Sequence, residues 1–154
     1  MDIFLPCLYS CLGCIGFCLL FNIRGKMIPL ATIGGTLGWF VFMLFNNMHN
    51  TIIQSFLAML AVAAYSEIMA RIYKMPVTVF LIVGLIPLVP GSNIYYTMEH
   101  CISGNIMEFM KTGLDTLAIS GALALGILLV SSITRLIISI MNYMKRQKRH
   151  ITSK

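Results

Sequence analysis

Charged side chains are scarce in this sequence, at 10% of 154 residues, where a soluble domain carries about a quarter. The acids number five, Asp2, Glu67, Glu99, Glu108 and Asp115, and the histidines three, His49, His100 and His150. A metal centre needs carboxylates, imidazoles or thiolates in clusters, and these share no ligand spacing, so no metal is expected. No serine stands with a histidine and an acid in an arrangement suited to nucleophilic chemistry. An enzyme is therefore not the expectation, and no cofactor is implied. Low-complexity tracts, long linkers and internal repeats are missing as well. The opening "MDIFLPC" carries an acid where a secretory signal would carry positive charge, so its apolar run reads as a retained span.

What the chain has in excess is apolar residues, 58% of the total, which points to an integral membrane protein. Five apolar segments can be marked off, at residues 3–21, 27–45, 51–70, 76–89 and 114–144. A helix needs about 20 residues to cross a hydrocarbon core of about 30 Å, and the fourth segment falls short. The expected fold is all-α and polytopic, with about five transmembrane helices in one domain, 1–144, and a basic tail, 145–154. Arg24 and Lys26, Arg71 and Lys74, and Lys145, Arg146, Lys148 and Arg149 follow the odd-numbered segments. Positive charge on alternate loops sets those ends in the cytoplasm and the N-terminus outside. Placed there, the +6 net charge anchors against anionic lipid, and a nucleic-acid partner is not implied.

The fourth segment ends in "IPLVPGSNIYY". Pro87 and Pro90 each remove an amide donor, and Gly91 tolerates backbone angles closed to other residues, so the helix should break between Pro87 and Gly91. Backbone freed inside a membrane must face protein or a wet cavity. In transporters such interruptions surround a polar solute. Ser92, Asn93, Tyr95 and Thr97 supply hydroxyls and an amide beside the break, which makes them candidate groups on a substrate path. The plainer alternative is a structural kink with Tyr95 and Tyr96 anchoring at the interface.

Glu67 and Arg71, four residues apart in "SEIMARIYK", meet on one helix face and offset each other's cost in low dielectric. They are candidates for ion coupling or gating, or a structural pair at the cytoplasmic interface. Arg135 lies well inside the fifth segment, which suggests a helix that continues past the membrane with a snorkelling arginine. Cys7, Cys11, Cys14 and Cys18 line one helix face, but the outer two are about 16 Å apart along the axis, too far to share one metal. Close helix packing is the better use of them. Gly34 with Gly38, and Ala118, Ala122 and Gly126, form small-residue stripes suited to the same purpose.

Four blocks taken in order resemble the membrane domain of the threonine/serine exporter family: "GFCLLFNI", "GGTLGW" with Trp39, "SEIMARIYKMP" and "GLIPLVPGSNIYYTM". The resemblance is to the small, separately encoded subunit that corresponds to the C-terminal half of single-chain exporters. It implies export of threonine- and serine-type amino acids, with succinate and other dicarboxylates as the alternative cargo. It also implies a larger partner subunit carrying the other five spans, to give a ten-span unit of two related halves; the soluble region in the N-terminal half of the single-chain members is absent from this sequence. A scaffold for another membrane protein, with no flux of its own, is the competing reading.

Overall fold

In a computed structural model, residues 4–48 and 50–152 are described; Asp2, His49 and the last two tail residues lie outside them. The described residues are helical, with no strand. Helices α1 (Phe4–Leu20), α2 (Met27–Leu44), α3 (Thr51–Ile72), α4 (Val77–Leu85), α5 (Gly91–Ile102) and α6 (Ile106–Thr152) follow in order, with single 3-10 turns at Asn46–Met48 and Ile86–Leu88.

Local chemistry explains most of the boundaries. Asn50 caps α3, its Oδ1 accepting from the amides of Ile52 at 3.1 Å and Ile53 at 3.3 Å, which satisfies two donors that the helix start leaves over. Three helices stop in the same way, with a left-handed residue just past the last turn. After α1 it is Asn22 (φ 56), after α3 Lys74 (φ 52) and after α5 Gly104 (φ 74). The amides that follow, on Ile23, Met75 and Asn105, reach back to the carbonyls of Cys18, Ala70 and His100 at 2.9, 2.9 and 3.0 Å. Asn105 then starts α6, its Oδ1 accepting from Glu108 N at 3.4 Å.

Three helices, α2, α3 and residues 106–141 of α6, are long and apolar enough to cross a membrane, and the bent pair formed by α4 and α5 makes a fourth. Helix α1, apolar but 17 residues long, would have to be counted to reach five. Helix α6 begins eight residues before the expected fifth segment, because Glu108 and Lys111 sit in its first turns and conceal it in a hydropathy reading. At 47 residues it is about 70 Å long, and its backbone carries the basic tail as a continuation of the same helix.

Helix α3 is the hub, packing on α2, α4 and α6, while α1 lies on α2 and α5 lies on α6. Val62, fully buried on α3, fills two glycine notches at once. A Cβ on Gly38 of α2 would stand 2.5 Å from Val62 Cγ2, and one on Gly84 of α4 would stand 2.5 Å from Val62 Cγ1. Gly126 of α6 is held against Met59, where a Cβ would come within 3.1 Å. Helices that meet this closely gain dispersion contacts, the main attraction left between them where the surroundings are as apolar as the helices. Farther along α2, Gly35 rests on Cys14, whose Sγ donates to Val83 O at 3.7 Å. Gly34 abuts Tyr65, whose hydroxyl donates to Leu30 O at 2.8 Å. On α6, Ala122 is buried and Ala118 is half-buried.

Candidate functional site

The fourth apolar segment does break where its prolines stand. Helix α4 stops at Leu85, Ile86–Leu88 forms one 3-10 turn, and α5 leaves at 54° to the first half. Pro90 (φ −75, ψ 58) is the centre of a three-residue turn closed by Gly91 N donating to Val89 O at 2.7 Å, the geometry of an inverse γ-turn. One expectation needs correcting. Gly91 has no positive φ, and a Cβ there would touch nothing within 4 Å. Proline geometry makes the turn without help from glycine's conformational freedom.

The 3-10 turn is held among α1, α2, α3 and α4. Leu88 is buried with Val62 and Ala58, and Pro87 faces a hollow of about 270 Å³ walled by Pro6, Tyr9 and Ser10 of α1 and Trp39 of α2. The Trp39 ring stacks on Phe42 at 5.4 Å between centroids. Its Nε1 is buried with no hydrogen-bond partner. Ser10 Oγ makes a long contact to Gly35 O at 3.5 Å.

The polar residues beyond the break are dispersed. Asn93 is half-buried. Thr97 turns toward α6: it spends its hydroxyl on Asn93 O at 2.6 Å, and with Ile94 it borders an apolar groove of about 370 Å³ that includes Met98, Phe109 and Leu114. Ser92 and Tyr95 are exposed, and Tyr95 sets its ring edgewise on Tyr96 at 5.5 Å. Within this chain, Pro87 and the α5 side chains therefore do not converge on one pocket. Among the described residues α5 packs on α6 alone.

At the other end of α3, Arg71 Nη2 donates to Glu67 Oε2 at 2.9 Å, with Glu67 13% exposed and Arg71 44%. The pair forms one wall of a hollow of about 390 Å³, closed on the α6 side by Val130, Ile133 and Thr134. Val62, which packs in the same cluster as Leu88, is five residues from Glu67, or about 7.5 Å along the helix axis. The break and the ion pair thus occupy successive levels of one bundle.

Residues 6–133 match the family described as threonine/serine exporter, ThrE. The chain belongs to the threonine/serine exporter family. No curated protein and no solved structure matches it.

For a member of an exporter family the break, the two hollows and the buried indole are the features with chemical potential. The thiols divide in two: Cys14 and Cys18 are buried in helix contacts, whereas Cys7 and Cys11 are half-buried beside Thr32 and Thr36. Arg135 is exposed. Sequence reasoning named the α5 side of the break and missed the α1–α2 side, where Tyr9, Ser10 and Trp39 stand. Trp39 is the only tryptophan in the chain and follows Gly38 directly, a signal that was available. Gly35, Gly84 and Val62 were missed because they sit in uninterrupted apolar runs.

Proposed function

We propose that this chain is one subunit of a secondary active exporter of small hydrophilic metabolites, amino acids of the threonine and serine type. The observation that carries this reading is the helix break at Pro87 to Gly91, packed among four helices with a hollow at its side. An interrupted helix within a bundle places bare backbone groups where a polar solute can use them. Family membership supports export as the general activity. With α1 counted, the chain has five spans, its N-terminus outside and its basic C-terminal helix in the cytoplasm of a bacterial inner membrane. A larger five-span subunit of the same family completes the path by covering α5. Ser92 and Tyr95, exposed on α5, would then face that subunit across the path. Glu67, paired with Arg71 and fronting the inner hollow, is the candidate for proton coupling.

The test is efflux from vesicles that hold this chain together with its genomic neighbour, loaded with L-serine, L-threonine or succinate. The reading predicts faster release of L-serine and L-threonine than from vesicles with either subunit alone, and release stimulated by a proton gradient. Release of succinate alone would redirect the substrate to dicarboxylates. No flux of any of the three would leave a scaffold as the better description.

A further inference from the structure

We infer that the Trp39 indole N–H is the donor that binds the solute's carboxylate beside the helix break. The inference rests on the exporter reading and adds a named residue and a chemical group to it.

An indole offers one donor and no acceptor. Trp39 Nε1 is buried without a partner among the protein groups, a condition that is uncommon in native structures and calls for an explanation. The group that satisfies it must be an acceptor. The ring forms one wall of the hollow of about 270 Å³ whose other walls are Pro6, Tyr9, Ser10 and Pro87. That is room for several waters or one small solute, given about 30 Å³ per water. None of these five side chains is charged, so the hollow holds no anion to compete for the N–H and no cation to claim a carboxylate first.

In the present conformation Nε1 is closed off from solvent. For a solute in the hollow to reach it, the ring must leave its stack on Phe42 and turn its N–H edge toward the hollow. Trp39 touches the solute in this scheme, while Phe42 sets the ring's resting position.

The chain's single tryptophan makes this measurable. The full chain, labelled with 5-fluorotryptophan, is assembled with its unlabelled neighbour subunit in vesicles, giving one fluorine resonance from this site. L-Serine and serinol, the amino alcohol that lacks the carboxylate, are titrated against it, and efflux of L-serine, L-threonine and succinate is measured in parallel. We expect L-serine to shift the resonance and serinol to leave it in place. Trp39→Phe should raise the KM for efflux about tenfold, the equivalent of one charge-assisted hydrogen bond, with kcat changed less than the KM. Normal efflux with a resonance that saturating L-serine does not move, or with an unchanged KM in Trp39→Phe, would overturn the assignment and leave the exporter reading intact. Should Trp39→Phe fail to insert, the resonance of the native sequence still decides. Absence of efflux for all three solutes would remove the exporter reading and this inference with it.

Discussion

Val62 offers the sharpest test of how the bundle is held. Replacing Gly84 by alanine puts a Cβ 2.5 Å from Val62 Cγ1, while its next neighbours, Gly34 C and Val62 Cβ, stand at an ordinary 3.7 Å. Val62 cannot turn aside, because its second methyl fills the notch at Gly38 and valine in a helix keeps essentially one rotamer. Such overpacking costs about 1–3 kcal/mol, against which alanine returns about 0.5–1 kcal/mol of helix propensity over glycine. Val62→Ala alone should cost about 1–2 kcal/mol through lost methyl contacts. In the double variant the offending methyl is gone and the new Cβ meets only the 3.7 Å contacts, so the Gly84→Ala penalty should vanish. The two changes should then be less harmful together than their sum by about 1–3 kcal/mol, a coupling of the size expected for side chains in direct contact. Reversible unfolding in mixed micelles, followed by circular dichroism, measures all three variants. Additive effects would show that Val62 does not wedge Gly84.

Gly91→Ala should change stability by less than about 0.5 kcal/mol, since the position is open and needs no unusual φ; a larger loss in the same unfolding assay would restore the role that the structure denies to glycine there. Asn50→Ala removes the two side-chain bonds at the start of α3 and should cost about 1 kcal/mol, seen as a lower unfolding midpoint. Glu67→Gln should cost under about 0.5 kcal/mol, because its partner Arg71 is 44% exposed and solvent screens the pair. Proton-gradient stimulation of efflux should nevertheless disappear in that variant. Stimulation that survives would assign the pair to structure.

The course of the helices was largely readable before their packing was. Segments 27–45 and 51–70 correspond to α2 and α3 within two residues at each end, because a long apolar run bounded by polar loops leaves few choices. Pro87 and Pro90 announced the break for covalent reasons that hold in any environment. Helices α5 and the first turns of α6 were hidden, since Ser92, Asn93, Glu99, Glu108 and Lys111 make helical backbone look like loop. Facing was harder to read. In a soluble helix an apolar stripe marks the inward side, but here both sides are apolar, and nothing in the composition of α3 points Val62 inward and Ile68 outward. For the same reason the path was assigned to the polar residues of α5, whereas the hollow beside the break is lined by Tyr9, Ser10 and Trp39, contributed from residues about 50 to 80 positions earlier.

Export in this scheme requires a solute to pass beside Pro87, between the break and the α1–α2 wall. Ser10→Cys, made with Cys7, Cys11 and Cys101 replaced by serine and assembled with the partner subunit, places a thiol in that hollow. Its rate of reaction with a small, membrane-impermeant methanethiosulfonate is the most direct measurement. The account predicts labelling above that of the parent without Ser10→Cys, slowed several-fold by saturating L-serine. A thiol that reacts at the same rate with and without L-serine, L-threonine or succinate, in vesicles that export one of them, would contradict it.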